Sequence, residues 1–221
     1  KVGTFTVVPG PGVLNAGAAL CTAYGANATV LCVTGNIQSY NIGLGLGILH
    51  ELPDQLATLR GLTKWAERIN HPAQAPAVVG EAFKQLTTGR TRPVAIETPW
   101  DVFGQRGEVD LEVPMDVPAP PVPDPETIAA AVALLKDARN PMITVGGGAV
   151  HAGEEVLELA KMLQAPVSAH RSGRGIVSDE LPYGFTCASG YKPWLKTDVL
   201  LGIGSRLELE YLRWTKIPEG L

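Results

Sequence analysis

Along the chain, short runs of β-branched and apolar residues alternate with longer segments of helical periodicity. Phe5-Thr6-Val7-Val8 reads as a strand, and Gly10-Pro11-Gly12 turns the chain into a helix from about Val13 to Tyr24. Residues 29–35 (TVLCVTG) are apolar almost throughout, as a strand covered on both faces should be. The glycine-rich run Gly43-Leu44-Gly45-Leu46-Gly47 predicts a loop, and Pro53 to Leu59 a short helix. From Pro72 to Thr88, Ala75, Val78, Val79, Ala82, Phe83 and Leu86 fall on one helical stripe. Gly89 ends that helix, and residues 93–97 (PVAIE) form the next strand.

The pattern then breaks. Pro114, Pro118, Pro120, Pro121, Pro123 and Pro125 crowd one short stretch. Proline fixes φ and supplies no backbone N–H, so neither a regular helix nor a central strand fits there. An extended linker over residues 105–123 is expected, dividing a domain at 1–104 from a second at 124–221. Asp124-Pro125-Glu126 opens a helix running to about Arg139, with the aspartate as N-cap. Strand 142–145, the turn Gly146-Gly147-Gly148, helix 154–163, strand 166–169 and strand 198–203 follow. Strands alternating with helices in both halves predict an α/β protein of two parallel-sheet domains.

Composition narrows the function classes. The 221 residues are 45% hydrophobic and 18% charged, with a net charge of −4 and no run of Lys or Arg. A nucleic-acid or membrane-surface partner is therefore not expected. Cys21, Cys32 and Cys187 form no CxxC pair and are odd in number, which fits small buried thiols and a cytoplasmic setting. Lys1 is not an initiator Met, and the strand signal starts almost at once, so the chain is expected to begin inside a domain.

Candidate chemistry sits at the strand ends. The turns at Gly10–Gly12 and Gly146–Gly148 each join a strand to a helix, where small residues let a ligand approach the backbone. GGGAVH is not the dinucleotide GxGxxG fingerprint, and Ser168 stands about where that fold would carry its ribose-binding acid. Gly202-Ile203-Gly204-Ser205-Arg206 closes a strand, so Arg206 is placed to hold a phosphate or to pair with Glu208. His50 next to Glu51 offers acid–base groups, although adjacent residues on a helix do not face each other. His71, His151 and His170 have no partner at metal-ligand spacing.

Several segments taken in order resemble one family. PGPGVLNAGAALCTAYGANATVLCVTGN, HELPDQLATLRGLTKWAERI and GRTRPVAIETPWDV are similar to the pyrimidine-side domain of thiamine-diphosphate enzymes of the acetolactate-synthase type. AAAVALLKDARNPMITVGGGAV, APVSAHRSGRGIVSDELPYGF and TDVLLGIGSRL resemble their Rossmann-like central domain. The resemblance implies a lyase or carboligase that uses thiamine diphosphate and Mg²⁺ on a 2-oxo acid and assembles as a homodimer or tetramer. The family's ylid-forming glutamate would precede Lys1, and its diphosphate-binding GDG…N motif would follow Leu221. The fragment by itself is thus expected to be inactive.

Residue by residue, the resemblance carries the cofactor-binding turn to Gly10, Pro11 and Gly12, and active-site positions to Asn36, His50 and Glu51. Asn36 stands where many members have glutamine. In flavin-containing members the triple glycine and a Gly-x-Arg contact FAD; here these are Gly146, Gly147, Gly148, Gly204 and Arg206. Ala169-His170-Arg171 stand where a synthase has Thr-Thr-Leu, so FAD is an option and not the default. The rival expectations are a non-catalytic nucleotide- or flavin-binding module and a purely structural association role.

Overall fold

The computed structural model describes residues 1–111 and 117–221. The chain forms two compact units, Lys1–Pro121 and Val122–Leu221. The described residues of the proline-rich stretch, 105–111 and 117–124, carry no helix or strand. Pro114 lies outside the described residues.

The first unit is built on strands β1 (Gly3–Val7), β2 (Val30–Asn36), β3 (Trp65–Arg68) and β4 (Val94–Pro99). All neighbours are parallel, in the order β1-β2-β4-β3. Helices α1 (Pro11–Gly25), α2 (Gln55–Leu62) and α3 (Ala75–Thr87) cross between them, and α4 (Trp100–Phe103) follows β4. Alternation along the strands separates two cores. Leu31, Val94 and Ile96 meet Ala82 and Leu86 of α3. Cys32, Ala66 and Ala95 meet Val13 and Leu20 of α1 and Leu59 of α2. The apolar spacing of these helix residues, four to seven apart, keeps one stripe against the sheet.

The second unit repeats this plan with β5 (Pro141–Val145), β6 (Val167–Ala169), β7 (Gly184–Thr186) and β8 (Val199–Ile203), parallel in the order β7-β6-β5-β8. Helix α6 (Gly153–Leu163) packs Val156 and Ala160 on Ile143, Val145 and Val167. Helix α5 (Pro125–Asp137) opens on Asp124, whose carboxylate accepts N–H bonds from Glu126 and Thr127. Helix α7 (Tyr191–Trp194) lies between β7 and β8 in sequence, and a single π-helical turn at Leu209–Arg213 follows β8.

The two parallel-sheet units and most element positions agree with the pattern of apolar residues. Strands β3 and β7 do not show in that pattern, because both are edge strands of four and three residues with partly exposed faces. The helix starting at Pro72 divides into a 3₁₀ turn at Pro72–Gln74 and α3 from Ala75.

Candidate active site

In the first unit, the polar side chains converge at the C-terminal ends of the strands, where open α/β sheets place their ligands. The centre is Glu97 on β4, which is fully buried. A buried carboxylate needs a cation and donors to remain charged. Arg68, the last residue of β3, supplies the cation, with Nε 2.5 Å from Oε1. Register makes this pair, because β3 and β4 place Arg68 and Glu97 side by side. Asn36, ending β2, donates through Nδ2 to Glu97 Oε1 at 3.2 Å. Its own Oδ1 accepts the Ile37 N–H at 2.8 Å.

Gln55 completes the group. It is the first residue of α2, held there by Asp54, whose carboxylate accepts the Ala57 N–H at 2.9 Å. Its Nε2 donates to Glu97 Oε2 and to the Gly35 carbonyl, each at 2.8 Å, and its Oε1 accepts the Gly10 N–H at 2.7 Å. One amide thus ties the Gly10–Pro11–Gly12 turn to the ends of β2 and β4.

Gly10 has φ 60°, and a Cβ there would fall 2.4 Å from the His50 carbonyl oxygen. Glycine is required at this point by close approach of the two backbones. At Gly12 the space is taken by Val8, 2.8 Å from the position of a Cβ. His50 adopts φ 73°, unusual for a residue with a side chain. Its Nδ1 is buried and has no hydrogen-bond partner. A left-handed backbone and an unpartnered buried nitrogen make His50 a candidate site residue.

The neighbouring Glu51 has a different job. Its oxygens accept the N–H groups of Gly45, at 3.1 Å, and Ile48, at 2.9 Å, so it pins the glycine-rich loop. Asp101, beyond β4, does the same for the chain after Asn36. It accepts the Ser39 hydroxyl at 2.6 Å and the Ser39 N–H at 2.8 Å, and the hydroxyl bond chiefly holds its carboxyl below the usual value.

The structure therefore links Gly10 to Asn36 through Gln55 and Glu97, and sets the His50 backbone against Gly10. It adds Gln55, Glu97 and Arg68, which belong to no motif in the sequence. One signal was available: Glu97 is the only charge inside an otherwise uncharged run, VAIETP. No comparable cue marks Gln55, whose role depends on contacts 45 and 42 residues away.

The second unit gives its glycines a packing role. Gly146 and Gly148 lie against Gly204: added Cβ atoms would come 2.3 Å from Gly204 O and 2.7 Å from Gly204 Cα. The N–H of Gly146 bonds Ile203 O at 3.0 Å, and that of Gly148 bonds Gly204 O at 3.1 Å. Close crossing of the loops after β5 and β8 explains these glycines without any ligand. Arg206 is 3.7 Å from Glu208, which also pairs with Arg171 at 3.5 Å. Among the described residues, no group of three or more His, Cys, Asp or Glu could hold a metal ion, and no helix is long and apolar enough to cross a membrane.

Two consecutive parallel α/β units, the first with a polar cluster at its strand ends, define the class. Residues 128–219 match the family model for the thiamine pyrophosphate enzyme central domain. The chain is 31% identical over 212 residues to a probable 2-ketoarginine decarboxylase of Pseudomonas aeruginosa, covering 94% of this chain and 38% of that protein. It is 32% identical over 223 residues to a probable acetolactate synthase large subunit of Methanocaldococcus jannaschii, covering 93% of this chain and 37% of the relative. Similarity extends to oxalyl-CoA decarboxylase of Escherichia coli, at 28% identity over 94% of this chain and 38% of that protein. Among solved structures, the thiamine diphosphate-dependent 4-hydroxybenzoylformate decarboxylase of Rhodococcus jostii RHA1 shares the fold, with a TM-score of 0.82 at 19% identity over 100% of this chain and 44% of that chain. The chain belongs to the thiamine-diphosphate-dependent enzyme family, and it spans less than two-fifths of the length of these curated relatives.

Proposed function

We propose that this chain is the pyrimidine-side and central-domain portion of a lyase or carboligase of the acetolactate-synthase type, dependent on thiamine diphosphate and Mg²⁺ and acting on 2-oxo acids. The observation that carries this is the linkage of the Gly10 turn to Asn36 through one buried hub at the strand ends, with the His50 backbone against Gly10, within a chain of this family.

When bound, thiamine diphosphate supplies a carbon nucleophile and an electron sink for cleaving the bond next to a carbonyl. The residues present suit its pyrimidine side. The orphaned His50 Nδ1 is a polar atom able to hold or pass a proton. The Asn36 amide, oriented by Glu97 and the Ile37 N–H, retains a second N–H for a ligand. Gly10, Pro11 and Gly12 form the wall of the site, and Glu51 fixes the loop that would cover it. The diphosphate and Mg²⁺ would be held by residues outside this chain, and homodimeric or tetrameric assembly would bring the two sides together.

For FAD, support in the second unit is weaker. Its glycines are accounted for by backbone crossing, and Arg206 is paired with Glu208. We expect the purified full-length protein to be colourless.

The deciding experiment is isothermal titration of the full-length protein with thiamine diphosphate and Mg²⁺, together with CO₂ release from a panel of 2-oxo acids. Saturable binding and turnover are expected; no binding at high micromolar cofactor defeats the proposal. The 221-residue chain alone is expected to show neither tight binding nor turnover.

A further inference from the structure

Resting on the thiamine-diphosphate function proposed above, we infer that Gln55 is a positioning residue that sets the distance between the Gly10–Pro11–Gly12 turn and Asn36. Its side chain is 2% exposed, and both of its amide N–H bonds are used, toward Glu97 Oε2 and Gly35 O. Its carbonyl oxygen takes the N–H of Gly10. Gly35 immediately precedes Asn36, and Glu97 also holds Asn36 Nδ2. Every path from the turn to Asn36 through these side chains therefore passes through one amide.

Only glutamine fits this arrangement. The position needs an acceptor toward Gly10 and two donors toward Gly35 and Glu97, at the reach of a four-atom side chain. Glutamate would present a carboxylate to the carboxylate of Glu97 and lose both donors. Leucine would match the size but orphan the Gly10 N–H and one oxygen of Glu97, and take one donor from the Gly35 carbonyl, which also accepts the Thr34 hydroxyl at 3.2 Å. A turn at φ 60° whose N–H is released has lost the bond that fixes it.

The test uses the full-length protein as wild type, Gln55→Leu, Gln55→Glu and a control, Leu59→Ala. Leu59 is a fully buried core residue of the same helix and makes none of the contacts of the hub. The first readout needs no cofactor. By hydrogen exchange and mass spectrometry, Gln55→Leu should lose protection selectively in peptides holding Gly10–Gly12 and Asn36. Leu59→Ala should loosen α2 and its core while leaving that turn protected. The second readout is kinetic. Well below their unfolding temperatures, both Gln55 variants should lose about tenfold or more in kcat, because small misplacements of reacting groups are costly. Leu59→Ala should stay within about twofold of wild type where folded.

Unchanged exchange at the turn in Gln55→Leu, or equal losses in Leu59→Ala, would overturn the inference. A wild-type protein that binds no thiamine diphosphate would instead remove the functional proposal, and the exchange data would still decide the role of Gln55.

Discussion

Glu97 is a carboxylate removed from water and held by Arg68, Asn36 and Gln55. Taking away its cation by Arg68→Met leaves a fully buried negative charge, which should cost about 3–5 kcal/mol in chemical denaturation. Combining Arg68→Met with Glu97→Gln should recover part of that loss, since the amide removes the lone ion and its carbonyl oxygen still accepts from Asn36 or Gln55. An Arg68→Met variant as stable as wild type would mean that the carboxylate does not depend on Arg68. At the same scale, burial pushes the Cys32 thiol from 9.0 up to about 11. A raised value means the folded state favours the neutral thiol. That contribution is complete below about pH 9 and disappears as pH climbs through 11. Cys21 and Cys187 are exposed. At neutral pH a disulfide reagent should therefore titrate two thiols quickly and the third only after denaturation. These residue-level facts were partly legible: buried thiols were expected for all three cysteines, yet burial holds only for Cys32. Exposure of Cys21 depends on which side of α1 faces the sheet, and that is set by Val13, Gly17 and Leu20.

Among the elements, the loops after β5 and β8 behave as one unit. Gly204→Ala would place a methyl 2.4 Å from Ala149 N and hold a non-glycine residue at φ 58°. The expected loss is about 1–3 kcal/mol by thermal or denaturant unfolding. If Gly204→Ala is neutral, the glycines are there for something other than close packing. In the first unit, Asp101 links α4 to the segment after β2. Its carboxyl lies below the ordinary 3.8, chiefly through the Ser39 hydroxyl. A depressed value stabilises the fold above about pH 3.8, and that benefit fades as pH falls through the folded-state value. The stability gap between wild type and Asp101→Asn should accordingly close on acidification. The turns themselves were visible in sequence because glycine and proline announce special backbone geometry. Which partner each glycine must avoid was not, because those partners are distant along the chain, as with Gly146 and Gly204, 58 residues apart.

For the whole molecule, separate cores suggest separate stability. Leu86 and Val167 lie in different clusters, one in each unit. We expect two unfolding transitions in calorimetry. Leu86→Ala should lower only one of them, by about 2–5 kcal/mol, and Val167→Ala only the other. A single transition shifted by both variants would show that the units unfold together.

The sequence by itself determined the two-unit α/β plan, the positions of the main helices and central strands, and the family, because periodicity and turn residues are local properties that survive in one dimension. Tertiary structure alone decided the edge strands, the exposure of each cysteine, the structural work of Glu51 and the hub of Gln55, Glu97 and Arg68. Those features depend on parallel register and on crossovers between strands far apart in the chain. Spacing along the sequence carries no record of such distances.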